Sequence, residues 1–338
     1  MMVLNVLRVF WGGLKYYAFG LRTPLNVGLR ITNQCNSKCK YCFVRDRPQR
    51  EMTTEEIKKV IDGMHSMGTQ RVGIQGGEVF LRDDAEEIVR YIKSCGMHLS
   101  LVTNGLLVPD NMKMVRMVDC LVVSFDGREK GHENNRIVGG HKAALNAIRA
   151  ARSNGVLVLT ITVITKNNIN DIDYILETAK ERGFACMFNL LHGADVFPEM
   201  GGMLPTKGQY RRAILNIMKK KREGYPVVLS YKSLRHMLNW EDYRRTCKFG
   251  GPGEGRCLAG KLFCNIDTDG TLSACDISKH FSEKIDITKH GFRSAWLRLG
   301  KQKLPCSSCA CSALTDYNNM LLPDVGTVGS WLRFLFRL

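Results

Sequence analysis

At 338 residues the chain is long enough for one large domain with a smaller one appended, and its 44% apolar content is that of an ordinary globular protein. The net charge of +17 favours an anionic partner, but no dense Lys/Arg run with interleaved aromatics accompanies it, so nucleic acid is the weaker inference. Thirteen cysteines, an odd count, argue against a fully paired disulfide set. With no secretory signal pattern and no uncharged apolar run of the ~18 residues a span needs, they point to metal or redox chemistry in a reducing, cytoplasmic setting.

Residues 1–22 have helical periodicity. Val3, Leu7, Phe10, Leu14, Tyr17 and Leu21 recur at steps of three and four, while Arg8, Lys15 and Arg22 recur at seven. The first acidic residue is Asp46. An amphipathic helix is therefore expected within 1–25, weakened by Gly12 and Gly13. It either lies on the inner face of an anionic membrane or packs across the protein with its cations solvated. Trp331, Arg333, Phe334, Phe336 and Arg337, in an apolar and basic tail over 316–338, would add a second membrane contact.

From residue 26 the texture alternates. Strand-like runs at 26–32, 71–76, 98–104, 120–127, 157–165 and 185–193 are separated by helical stretches near 53–66, 83–94, 109–117, 139–154 and 171–182. Such alternation reads as β/α units around a parallel sheet, either a barrel or an open doubly wound sheet. Helices near 206–223 and 232–244 follow, completing a unit over 26–245. A glycine-rich stretch at 246–257 marks a boundary, and a Cys-rich unit over 246–315 lies beyond it. Within that unit "LFCNIDTDGTLSACD" reads as a hairpin turned by Asp269 and Gly270.

Directly after the first strand, "CNSKCKYCF" places Cys35, Cys39 and Cys42 at x3 and x2 spacings. Three thiolates leave a bound metal one open coordination position, whereas a structural zinc site takes four ligands. A zinc knuckle or core cysteines are the alternatives. With aromatic Tyr41 before the last cysteine, the motif resembles that of the radical SAM superfamily. The resemblance implies an α/β fold, a partial (β/α)6 TIM-type barrel with a small Cys-rich C-terminal iron–sulfur domain. It also implies a 4Fe–4S cluster on Cys35, Cys39 and Cys42 whose open iron binds S-adenosylmethionine. A reductant such as flavodoxin or ferredoxin would drive cleavage to a 5′-deoxyadenosyl radical, which abstracts hydrogen from substrate.

Further stretches extend the likeness. "IQGGEVF" is similar to the family's Gly-Gly-Glu motif, which would make Gly76, Gly77 and Glu78 a cradle for the cofactor's amino group, with Val79 where proline usually stands. "LVTNG" and "VVSFDG" resemble the cofactor-contacting strand ends and nominate Thr103, Asn104, Ser124 and Asp126, with Tyr41 and Arg136 on the same side. Loop capping is the alternative for Asn104 and Ser124. His132 reads as a surface or structural histidine.

Cys257-x12-Gly270-x4-Cys275 followed by Cys306-x2-Cys309 resembles the auxiliary-cluster domains called SPASM, or their shorter form, twitch. That implies one auxiliary 4Fe–4S cluster on Cys257, Cys275, Cys306 and Cys309, with Cys264 and Cys311 as alternates; a zinc ribbon is the competing reading. Cys95, Cys120, Cys186 and Cys247 are assigned to the core. Asp276 matches the aspartate base of sulfatase-maturing relatives, or else caps the hairpin. The substrate stays open between a peptide or protein residue, a small alcohol or sugar, and a lipid. A non-catalytic iron–sulfur or zinc protein is the reading from another class.

Overall fold

The structure is a computed structural model that describes residues 2–42, 44, 50–192, 194, 195, 198–249, 257–321, 326, 327 and 329. The tail residues Trp331, Arg333, Phe334, Phe336 and Arg337 lie outside these. The chain opens with α1 (Met2–Phe19), then alternates β1 (Asn26–Arg30), α2 (Thr54–Ser66), β2 (Arg71–Gln75), α3 (Ala85–Ser94), β3 (His98–Thr103), α4 (Met112–Val115) and β4 (Cys120–Ser124). Next come α5 (Glu129–Asn135), α6 (Gly140–Ser153), β5 (Val158–Ile164), α7 (Ile172–Arg182) and β6 (Ala185–Leu190). Helices α8 (Lys207–Arg222) and α9 (Tyr231–Leu238) lead to β7 (Cys247–Phe249), the hairpin β8 (Phe263–Ile266) and β9 (Thr271–Ser273), and β10 (Ile285–Asp286). Short helices α10 (Ile287–His290) and α11 (Phe292–Leu299), strand β11 (Cys306–Cys309) and helix α12 (Ser312–Leu321) follow.

Each expected strand forms, and β1 to β6 pair in parallel in chain order. Their apolar runs suit a sheet covered on both faces. In α2, Ile57, Val60, Ile61 and Met64 are buried, the i, i+3, i+4, i+7 stripe that seats a helix on such a sheet. Its start is fixed by a capping box, with Thr53 accepting from the Glu56 amide and Glu56 accepting from the Thr53 amide. Helix α5 has no counterpart among the expected elements. It is a short helix in which Gly131, His132 and Asn135 are buried.

The hairpin forms as read, with Gly270 at φ +84° in its turn. It does not stand apart from the barrel. β8 pairs in parallel with β1, Asn26 opposite Phe263 through Leu29 opposite Ile266. The sheet therefore runs β10-β9-β8-β1-β2-β3-β4-β5-β6 and spans the residue-246 boundary. Its two ends do not pair with each other. Helix α12 links β6 to β8: Ser312 donates to the Phe188 carbonyl of β6 at 2.8 Å, and the Tyr317 ring packs 6.2 Å from that of Phe263 in β8.

Helix α1 rests against α12. Its buried side carries Val9 and Gly13 with Tyr16 packed against the core, which differs from the stripe that the periodicity of Leu7, Leu14, Tyr17 and Leu21 selects. The two glycines give the reason. A Cβ at Gly12 would sit 2.5 Å from Leu25, and one at Gly13 only 2.6 Å from the Leu321 carbonyl oxygen. Close approach through glycine, and not the apolar stripe, sets which face docks. No helix of the described residues is long and apolar enough to cross a membrane.

Alanine at an ordinary helix position stabilises by about 1 kcal/mol relative to glycine. At Gly13 the opposite sign is expected: Gly13→Ala should destabilise by roughly 1–3 kcal/mol through overpacking against Leu321, read as a lowered melting midpoint.

Candidate active site

The C-terminal ends of β1 to β6 face one side, as site residues do in barrels of this kind. The loop after β1 carries Cys35, Cys39 and Cys42, and it is held at many points. Asn33 donates to Thr268 at 2.8 Å, the Lys40 amide to the Asn135 carbonyl at 2.9 Å, and Asn104 to Asn36 at 2.7 Å. The thiols accept hydrogen bonds of their own: the Ser37 amide lies 3.4 Å from Cys35 Sγ and the Val44 amide 3.4 Å from Cys42 Sγ. Burial pushes the Cys35 thiol up to about 11, and Cys39, Cys42 and Glu78 add to the shift. A set of three thiols is suited to a cationic metal centre, which favours the thiolate form. Among the described residues no three His, Cys, Asp or Glu side chains converge tightly enough for a single metal ion. The fit to an iron–sulfur cluster rests on the donor set: three thiols, each in reach of a polar N–H, O–H or guanidinium group.

Asp126 ties this loop to the barrel. Fully buried at the end of β4, it accepts from the Tyr41 hydroxyl, from Arg136 Nε at 2.8 Å and from the Val163 amide at 3.0 Å. Its own amide donates to His132 Nδ1 at 3.1 Å. Arg136 lies over the Tyr41 ring and reaches to 3.9 Å from Cys39 Sγ. Asp126 is thus tied to three partners in the protein and anchors the loop. His132 is buried and structural; burial lowers it to about 4, so it accepts as a neutral ring.

The Gly-Gly-Glu stretch packs against the same loop. The amides of Gly77 and Glu78 donate to the carbonyls of Thr32 and Gln34 at 2.8 and 2.7 Å. A Cβ at Gly76 would lie 2.6 Å from the Thr32 oxygen, and one at Gly77 2.2 Å from that of Gln34, so both positions require glycine. Glu78 is buried, accepting from Thr103 Oγ1 at 2.9 Å and the Asn104 amide at 2.8 Å; burial nevertheless raises its carboxyl to about 7.

A cavity of about 230 Å³ opens above this floor, lined by Cys35, Cys39, Tyr41, Cys42, Gly76, Gly77, Thr103, Asn104, Ser124 and Arg136. Asn104 also caps its loop, accepting from the Leu106 amide at 3.0 Å. Val163, Asn189 and His192 share the lining without having been nominated from sequence. Both ring nitrogens of His192 are buried without a hydrogen-bond partner among the described residues, and burial holds the ring down to about 4. Its position just past the apolar run of β6 is the available signal: a polar residue at a barrel strand's C-terminal end.

A second cavity, about 370 Å³, fills the barrel interior and shares Val102, Asn189 and His192 with the first. Asn26, Gln75, His98 and Ser100 make one wall polar, whereas Val122, Leu159, Ile161 and Met187 make the other apolar. Gly28 and Gly73 keep it open where barrels of this kind are usually filled by branched side chains. It reaches Asp276 and Cys311. Asp276 pairs with Arg30 at 3.1 Å, and Arg30 also pairs with Asp267 at 3.0 Å.

Beyond Asp276 lies the second field of thiols. β7 and β11 pair antiparallel with Cys247 opposite Cys309. The thiols of Cys247 and Cys306 interact directly, which raises the first and lowers the second. Cys309 is raised by burial, with contributions from Cys311, Cys257 and Cys275. Cys247 therefore joins Cys257, Cys275, Cys306, Cys309 and Cys311, and it was missed because its partner strand is far along the chain. Cys264 does not join them. It follows Phe263 in β8, opposite Val27 in the ladder, and burial alone raises its thiol. Its neighbour Asn265 lines the interior, so strand alternation turns Cys264 to the other face.

Residues 29–179 match the sequence model of the radical SAM superfamily. The mycofactocin maturase MftC of Mycolicibacterium smegmatis is 26% identical over 347 residues, covering 92% of this chain and 84% of that protein. The AdoMet-dependent heme synthase of Methanosarcina barkeri is 33% identical over 168 residues, 47% of this chain and 48% of its own length. Among solved structures, Streptococcus suis SuiB bound to S-adenosylmethionine superposes with a TM-score of 0.66 at 14% identity, covering 84% of this chain and 68% of that one. Native anSMEcpe with bound AdoMet gives 0.61 at 14% identity, covering 93% and 97%. These superpositions establish the fold.

The Glu78 carboxyl has a testable signature. Its native value of about 7 lies above the unfolded value of 4.5, so the native state holds the extra proton between those limits and loses stability as pH rises through them. In protein free of metal and cofactor, the melting midpoint of wild type minus that of Glu78→Gln should fall as pH rises through this window and level off above it.

Proposed function

We propose that this radical SAM superfamily enzyme takes a hydrogen atom from a substrate held between the two cavities and oxidises the product radical through a second, auxiliary 4Fe–4S cluster. The observation that carries the reading is the junction at Val102, Asn189 and His192, where the cavity over Cys35, Cys39 and Cys42 meets the interior that extends to Asp276 and Cys311. The family implies a 4Fe–4S cluster and S-adenosylmethionine, whose one-electron reductive cleavage supplies a 5′-deoxyadenosyl radical. Cys35, Cys39 and Cys42 would hold the cluster. Thr103, Asn104, Ser124 and Arg136 line the space where the cofactor would lie, and Glu78 with the Gly76–Gly77 turn fixes its floor.

The chain's own groups have distinct work in this reading. Arg136, neutralised by Asp126, keeps a positive edge near Cys39 without leaving an unpaired buried charge. Asp276, held by Arg30, would accept the proton released as the substrate radical is oxidised. Four of Cys247, Cys257, Cys275, Cys306, Cys309 and Cys311 would ligate the auxiliary cluster; the Ser278 amide, 3.3 Å from Cys275 Sγ, and Asn318 Nδ2, 3.8 Å from Cys257 Sγ, supply N–H groups to it. A peptide residue is the substrate class we favour, because MftC is a maturase and SuiB has been solved with its precursor peptide SuiA. Flavodoxin or ferredoxin would supply the electron, and a reducing cytoplasm suits thirteen free thiols.

Anaerobic reconstitution tests the reading. With Cys35, Cys39 and Cys42 all changed to alanine, 5′-deoxyadenosine formation from S-adenosylmethionine and dithionite should vanish while about four iron atoms per chain remain. Undiminished cleavage would overturn the first site, and iron near zero would overturn the second.

A further inference from the structure

Helix α1 uses its small residues for docking and leaves its large ones outside. Leu7 is 49% exposed, Trp11 60%, Phe19 75% and Leu21 54%. With Tyr17 they make up five of the nine large apolar side chains exposed among the described residues, gathered into one short segment of the chain. At about 100° per residue, Leu7, Ala18 and Trp11 fall within about 40° of one another, and Lys15 and Arg8 adjoin them. Both cations are exposed, and Lys15 lies 6.0 Å from the Trp11 ring. No acidic residue precedes Asp46. The opposite side, through Val9 and Gly13, is already occupied by the body of the protein.

We infer that the outward face of α1 docks on an anionic phospholipid surface, with Leu7, Trp11 and Phe19 entering the headgroup–acyl boundary and Arg8 and Lys15 meeting lipid phosphates. Charge complementarity selects this occupant. A face with two cations, no acid and an amphipathic indole at its centre has the composition of an interfacial helix. An isologous contact between two copies would bring this face, with Arg8 and Lys15 and no acid to pair them, against an identical one. The helix is held to the protein by the contacts of Gly12 and Gly13 and by the packing of Val9 and Tyr16, so it lies in the surface as a fixed face of the enzyme and does not span it.

Flotation of the full-length protein with phosphatidylglycerol–phosphatidylcholine vesicles, against pure phosphatidylcholine, tests the inference independently of catalysis. Binding to the anionic vesicles at low salt, and its loss at high salt, is the expected result. Arg8→Gln with Lys15→Gln should lower partitioning about 30-fold, from the usual contribution of each cation at such a surface. Trp11→Ser with Phe19→Ser should abolish it. Both pairs leave Val9, Gly13 and Tyr16 in place, so an unchanged melting midpoint verifies that the helix is still seated. Wild type that ignores anionic vesicles, or variants that float as well as wild type, would overturn the inference. So would a lipid-independent dimer that Trp11→Ser dissociates, which would give the face to a second copy of the chain.

Discussion

The parallel ladder between β1 and β8 decides where the second half of the chemistry lands. Asn26 to Leu29 hold Phe263 to Ile266 in register, and β9 returns antiparallel from that strand into Cys275 and Asp276, the latter paired with Arg30 at the end of β1. Four charges lock the arrangement. Arg30, at the end of β1, bridges Asp267 and Asp276, while Lys279 pairs with Asp267 at 3.0 Å. Two cations and two carboxylates, three of them nearly fully buried, balance one another. Removing one member would strand an uncompensated charge in a poorly solvated place.

A second buried carboxylate orders the first cysteine loop. Asp126 reaches it through Tyr41 and Arg136 and reaches β5 through the Val163 amide, so the loop's position is set from two adjacent strands. The glycines of the Gly-Gly-Glu turn fix the third side by packing backbone on backbone. A loop of three thiols is thereby given the rigidity that precise cofactor chemistry requires, without lengthening any strand.

Sequence carried the fold well where the signal is periodic or local. The six strands, the hairpin at Asp269–Gly270 and the cysteine triplet were all legible because their information lies within a few residues. What stayed hidden is nonlocal. Cys247 acquires its meaning only from pairing with Cys309, and Cys264 loses its candidacy only because Asn265 faces the interior. The docked side of α1 misled for a different reason: hydrophobic periodicity weighs side chains, and the closest approaches are made by two residues that have none. Asp126 lies in a motif that resembles cofactor-contacting strand ends, and its tie to the cysteine loop through Tyr41, Arg136 and Val163 is a further role that the motif does not carry.

Helix α12 does several jobs with one backbone. It starts at the residue after Cys311, lines the barrel interior with Ala313, Leu314 and Tyr317, and ends with the Leu321 carbonyl against Gly13 of α1. At Gly13 the contact is backbone on backbone, because a methyl group there would already be too large, and Val9 and Tyr16 on the same side of α1 pack against the core. One helix thus joins the thiols at Cys311, the barrel interior and the outermost helix, and where it meets that last helix the spacing is set by glycine.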